Sequence, residues 1–167
     1  MLKRSSALAS AKSFYGKDLS IVEAPDFVLT QYAGSEKELK KALSKIPTRV
    51  GVALEQDGHT QLRINPSQIW LIGAPVNSGS CISTPLSSSR TRIALEGENA
   101  RAVLSKLAAI DFHPKHLKLG MFVQTSIHHT PALIQCTAEN TFHIYAMRTF
   151  AMSVREAVTD AALEFAA

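Results

Sequence analysis

Two cysteines, one tryptophan and no long apolar run in 167 residues remove several classes of protein at once. Cys81 and Cys136 are far apart and lack the paired spacing of a metal knuckle or a redox motif, so both read as reduced thiols. No segment approaches the roughly 18 continuous apolar residues that a membrane helix needs. The start of the chain also lacks a secretory hydrophobic core, and the expected location is therefore cytoplasmic. A net charge of +4 arises from 18 basic and 14 acidic residues, but the bases are dispersed. Without a Lys/Arg tract or an aromatic-basic repeat, no nucleic-acid surface is expected. Gly73, Gly79 and the serines after them do not reproduce a phosphate loop, and no serine sits in a Gly-x-Ser-x-Gly elbow.

What is present is a 46% apolar composition, enough for a sizeable core, and a pattern that sharpens in the second half. Residues 91–95, 98–109, 121–127, 133–137, 141–146 and 151–165 read as strand, helix, three strands and helix. That order describes an α+β module in which two helices cover one face of an antiparallel or mixed sheet. The expected organisation is a flexible or partner-binding arm at 1–16, an N-terminal α+β subdomain at 17–86 and a C-terminal one at 87–167.

In the first half, residues 21–32 read as strand structure interrupted at Pro25. Ser35 precedes a helix with a Leu39, Ala42, Leu43 and Ile46 stripe that Pro47 closes. Short strands are expected at 50–54, 60–64 and 68–72, the first two joined by a turn at Asp57-Gly58. Trp70 lies between Ile69 and Leu71, which favours a core or interface residue over a ligand anchor. The Pro-, Gly- and Ser-rich stretch 74–89 reads as a joint between subdomains or a strip along a partner.

In the second half, Val103, Leu104, Leu107 and Ala108 form the packed side of a helix while Glu98, Arg101 and Lys106 are expected to stay wet. Asp111-Phe112-His113-Pro114 then makes a corner, with Asp111 accepting local backbone hydrogens. The pairs His113/His116 and His128/His129 raise a metal reading, but they match no metal motif. Gly120 leads into a strand whose Gln124 and Thr125 can bond at a subunit seam, and His129-Thr130-Pro131 reads as a reversal. Arg148 is suited to a partner carboxylate. The last helix sets Val154, Ala157, Val158, Ala161 and Phe165 on an apolar side, and small alanines allow another subunit to approach closely.

Taken in order, several short segments carry a specific resemblance: Ser89-Arg90-Thr91-Arg92-Ile93, Leu95-Glu96-Gly97, Arg101-Ala102-Val103-Leu104, Asp111-Phe112-His113-Pro114, Gly120, Gln124-Thr125, Arg148-Thr149-Phe150-Ala151-Met152-Ser153 and Ala161-Ala162-Leu163-Glu164-Phe165. Together they resemble the gamma subunit family of heterotetrameric sarcosine oxidase over residues 87–166. Asn65-Pro66-Ser67-Gln68-Ile69-Trp70-Leu71 is similar to a looser form of the Gly-Pro-Asp-Glu-Trp-Leu pattern of that family and its aminomethyltransferase-like relatives.

The resemblance implies an aminomethyltransferase-like, folate-binding type of fold, with helices packed on antiparallel or mixed sheets. It also implies a noncatalytic place in a complex that oxidatively demethylates sarcosine to glycine, a one-carbon unit and hydrogen peroxide. The implied partners are alpha, beta and delta subunits. NAD and tetrahydrofolate would lie on alpha, FAD on beta, FMN between alpha and beta, and zinc on delta, with no cofactor residue from this chain. Candidate structural or interface residues are Trp70, Arg101, Asp111, His113, Pro114, Gln124, Thr125, Arg148, Phe150 and Ser153. The rival readings are a standalone folate-binding or one-carbon-transfer protein, with Trp70 near Arg148 in a pocket, and a gamma-like subunit of another N-methyl-amino-acid oxidoreductase.

Overall fold

A computed structural model describes residues 5–24 and 27–166. The chain runs β1 (Phe14–Gly16), β2 (Leu19–Glu23), β3 (Leu29–Ala33), α1 (Glu36–Leu43), β4 (Ala53–Gln56), β5 (His59–Asn65), β6 (Gln68–Ile72) and β7 (Ile82–Pro85). It continues with β8 (Arg90–Glu96), α2 (Ala100–Leu107), β9 (Phe122–Ile127), β10 (Thr130–Ala138), β11 (Thr141–Met147) and α3 (Ala151–Ala162), which a 3-10 turn at Leu163–Phe165 prolongs. Two sheets result, ordered β1-β2-β8-β11-β10-β9 and β4-β5-β6-β3-β7, and the chain divides into one compact unit around each.

In the six-stranded unit, alternation puts one apolar set on one face. Ile93 pairs with Ile144, which pairs with Ile134, and Leu95 pairs with Phe142, which pairs with Cys136. All six are buried, and α2 and α3 bring Val103, Leu104, Val154, Val158 and Ala162 into the same core. The expected division at residues 16/17 and 86/87 is redrawn here. β1 and β2 belong to this unit, because β2 pairs antiparallel with β8 and aligns Ile21 with Leu95. Without β2, the main chain of β8 would present an unpaired edge. The expected arm is also built into the unit from Leu8 onward, since Leu8 is buried and Phe14–Gly16 pairs with β2. Residues 1–4 and Pro25, the expected interruption, lie outside the described residues.

The five-stranded unit packs α1 on its sheet through Tyr32, Leu39, Leu43, Ile46, Ile69, Leu71 and Cys81. Ser35 starts α1 with a reciprocal cap: its hydroxyl accepts from Glu38 N at 3.4 Å and its N–H donates to Glu38 Oε2 at 2.8 Å. The helix stops at Leu43, before Ile46 and Pro47, because Lys45 N turns back to Leu43 O at 2.7 Å around Ser44. Inside the expected 74–89 joint, β7 pairs with β3. Its residues are all exposed, so it carries no apolar alternation, and its strand form comes from main-chain pairing alone. Tyr32 closes the preceding loop by donating to Val76 O at 2.7 Å and accepting from Val76 N at 2.8 Å.

Candidate functional site

Periodicity sets Arg101 on the wet side of α2, and the structure corrects this. The guanidinium is half-buried: Nη1 donates to Phe112 O and to Leu117 O at 3.2 Å, and Nη2 donates to Glu139 O at 2.9 Å. Its carbon stands 4.9 Å from the centre of the Phe142 ring. Phe112 and Leu117 are buried anchors, so the planar fork of Arg101 fixes the corner between them. Asp111, His113 and Pro114 are thereby held on the surface. Asp111 Oδ1 accepts from His113 N at 2.8 Å, as expected, and Oδ2 lies 3.4 Å from His116 Nε2. Both side chains of that contact are largely exposed, so it fixes little by itself. Next to the fork, burial pushes the Cys136 thiol up, which keeps it in its unreactive form, and Arg101 partly opposes this.

A second surface is built by α3. Ala151, Val154, Val158 and Ala162 face inward, leaving Phe150, Met152 and Ser153 outward, followed by Leu163 in the closing turn. Phe150 and Leu163 are 45% and 56% exposed, and Met147 is exposed nearby in sequence. Glu156 and Asp160 form an acidic ridge between two hollows. One, of about 750 Å³, is bordered by Lys106, Ser153, Ala157 and Ala161. The other, of about 480 Å³, is walled mainly by apolar surface from Ala11, Met152 and Leu163. Apolar surface set beside charged side chains is what a docking surface combines. The expected apolar side is split: Val154 and Val158 are buried, whereas Ala157 and Ala161 border the larger hollow.

Other sequence candidates do not join this surface by any described bond. Trp70 is buried in β6 of the five-stranded unit and donates from Nε1 to Gln31 Oε1 at 3.1 Å. Arg148 lies in the other unit, where its Nη2 donates to Ser5 O and its N–H to Ser89 O at 2.9 Å. Gln124 and Thr125 stand on β9, the edge strand of the six-stranded sheet, with Gln124 exposed. The reversal expected at His129-Thr130-Pro131 falls one residue earlier. His128 and His129 both take positive φ, 47° and 67°, in a two-residue hairpin, and Thr130 already belongs to β10.

Two buried cations escaped the sequence pattern. Arg63 donates to Pro47 O at 3.0 Å and Pro66 O at 3.1 Å and pairs with Glu36 at 3.2 Å. Arg155, 4% exposed, donates to Lys12 O at 2.6 Å, Ile21 O at 3.3 Å and the Thr159 hydroxyl. The one signal for Arg155 was its position inside the Val154–Val158 stripe with Thr159 one turn on. On the opposite face of the six-stranded sheet, Tyr145 donates to Gln135 at 3.1 Å and His143 is half-buried beside Tyr145. Burial, helped by the charge of Arg92, pulls His143 down to about 4.

Neutral His143 is thus the folded form, and the unfolded chain takes up a proton that the folded chain refuses as pH falls from 6.5 toward 4. Its contribution is complete above 6.5 and is lost through that window. His143→Gln is expected to flatten this part of a melting-temperature profile between pH 7 and 4, and an unchanged acid slope would remove the assignment.

Among the described residues, no three His, Cys, Asp or Glu side chains gather as a metal site. No helix among them is long and apolar enough to cross a membrane. The contacts described on these surfaces are hydrogen bonds and apolar packing.

Comparison with known proteins bears on the same region. The model of the "Sarcosine oxidase, gamma subunit family" matches residues 80–164. Sarcosine oxidase subunit gamma from Corynebacterium sp. (strain U-96) is 32% identical over 82 residues. That match covers 49% of this chain and 40% of the relative, so the chain spans less than half the length of the relative it matches. In structure, the chain is similar to one in the heterotetrameric sarcosine oxidase from Corynebacterium sp. U-96 in complex with pyrrole 2-carboxylate. The TM-score is 0.86 at 23% identity, covering 98% of this chain and 97% of that one. It is also similar to glycine cleavage system aminomethyltransferase T from Bartonella henselae, with TM-score 0.58 and 17% identity over 86% of this chain and 46% of that one. At these identities the two structures establish the fold, which is the α+β, aminomethyltransferase-like arrangement expected from the sequence.

Proposed function

We propose, because the chain belongs to the sarcosine oxidase gamma subunit family, that it is the noncatalytic gamma subunit of a heterotetrameric sarcosine oxidase. Its role is to support the assembly that oxidatively demethylates sarcosine to glycine. The family match over residues 80–164 carries this reading, since that span contains the Arg101 corner and the outward side of α3. Alpha, beta and delta subunits are the partners, and FAD, FMN, NAD, tetrahydrofolate and zinc belong to them. This chain contributes shape and apolar area. Stable interfaces bury more than about 1,000 Å² around an apolar centre, which Met152 and Leu163, walls of one hollow, are placed to begin.

Purification from native cells, with light scattering and mass spectrometry, tests the assembly. Co-elution with flavin-containing larger subunits is expected. The double substitution Met152→Glu and Leu163→Glu should abolish co-elution yet change the stability of the free chain by no more than about 0.5 kcal/mol, as exposed sites do. Unchanged co-elution of the double variant would remove α3 from the interface. A parent chain that stays monomeric and binds tetrahydrofolate would favour the standalone folate reading instead.

A further inference from the structure

Beneath α1, the inward face of β4 and β5 departs from the apolar pattern. Gln56 pairs in register with His59, Gln61 stands two residues further along β5, and Gln61 pairs with Leu71 on β6. Strand alternation therefore sets Gln56, His59, Gln61 and Leu71 on one face. With Leu43, Ser44 and Val76, they border a cavity of about 200 Å³ inside the five-stranded unit. Gln61 is 3% exposed. The Oε1 atoms of Gln56 and Gln61 are sealed from solvent, and among the described residues no group donates to either.

The rim of this cavity is specially built. Gln56 Nε2 donates to Asp57 Oδ2 at 3.1 Å, so that amide is held with its oxygen still unpaired. The His59 ring lies between two rim carbonyls, Nδ1 2.9 Å from Asp57 O and Nε2 3.0 Å from Ala74 O, and the single N–H of a neutral imidazole donates to one of them. Ser44 and Asp57 both take positive φ, 62° and 52°. Ser44 is the centre of a tight i-to-i+2 turn, a conformation that is rare and strained. Two inward glutamines with unpaired oxygens are a costly way to fill space that leucine would fill without penalty.

We infer that this cavity is a binding site for a small N–H donor, an ammonium or carboxamide group on a short apolar stem. The Gln56 amide is held by Asp57, while the final torsion of Gln61 is soft, so the Gln61 oxygen can turn onto a bound N–H group beside the fixed Gln56 oxygen. The Asp57 carboxylate adds a third acceptor at the rim, while Leu43, Leu71 and Val76 supply apolar wall for the stem. The volume equals that of about seven water molecules at ~30 Å³ each, which limits the ligand to a compact one. This site is independent of the assembly role proposed above.

The test is a titration of the full ¹⁵N-labelled chain, followed by NMR at the side-chain amides of Gln56 and Gln61. The probes are n-propylammonium and propionamide, which separate a charged from a neutral donor. N,N-dimethylpropionamide, which has no N–H, is the control. Saturable shifts with at least one probe, and at least tenfold weaker binding of the control, are expected. Gln61→Leu should weaken binding of the successful probe at least tenfold while keeping a dispersed spectrum; if that variant does not fold, Gln56→Leu takes its place. Absence of saturation with both probes, equal binding of the control, or unchanged binding in the folded variant would each overturn the inference, the first assigning the cavity to ordered water.

Discussion

Gly97→Ala is expected to destabilise the chain by about 3–5 kcal/mol, the combined scale of backbone strain and forced overpacking. Gly97 follows β8 with φ 125°, a conformation that L side chains rarely adopt. An added Cβ would also overlap Asp18 O and lie 2.9 Å from Leu19 Cα. These are backbone atoms in the turn between β1 and β2, so no side-chain rotation can relieve the clash. Gly97 N already donates to Asn140 O at 2.9 Å, which fixes Gly97, and Asn99 Nδ2 donates to Lys17 O at 3.0 Å, which fixes the turn. Relief must come from moving β1 and β2 away from β8. Urea unfolding should show the loss, and hydrogen exchange should show the β2 amides opening first. A variant within 1 kcal/mol of the parent would mean that the turn yields easily and the close approach is unimportant.

Arg155→Ala is expected to lower stability by about 3–4 kcal/mol, as when one partner of a buried charged hydrogen-bond group is removed. The guanidinium joins three separate parts of the unit: Lys12 before β1, Ile21 in β2 and Thr159 in α3 itself. Burial pulls it below the ordinary arginine range, yet an arginine remains charged. Truncation leaves the Lys12 and Ile21 carbonyls without this donor and opens a space beneath α3. At about 2–4 °C per kcal/mol for a chain of this size, the melting temperature should fall by about 6–16 °C in calorimetry. Arg155→Met preserves much of the volume and removes the buried charge, so its loss should be about half as large. Equal losses would show that the cost lies wholly in the carbonyls.

The elements of the second half were legible because their patterns are local. Ile93 and Leu95, or Ile144 and Phe142, alternate at period two, and Val154 and Val158 repeat at one helical turn. Ser35 ahead of the Leu39, Ala42 and Leu43 stripe likewise announced the start of α1. Strand β7 was not legible, because Ile82–Pro85 buries nothing and exists only through hydrogen bonds to β3. The hairpin turn was expected one residue too late, at His129-Thr130 instead of His128-His129, since histidine is not a usual residue at two successive positive-φ positions.

For the functional surfaces, the division follows from the same physics. The sequence by itself determined the α+β class, the helices and most strands, and an ordered set of motifs that identified the family, because periodicity and motif order are properties of neighbouring residues. Only the tertiary structure decided that β1 and β2 complete the sheet of β8–β11, that half-buried Arg101 and buried Arg155 serve as clamps, and that Gln56 and Gln61 face a cavity. Those outcomes depend on which main-chain carbonyls and apolar walls meet across long separations in the chain. A charged or amide side chain looks the same in sequence whether it ends in water or against a distant carbonyl, and only folding supplies the partner that tells the two apart.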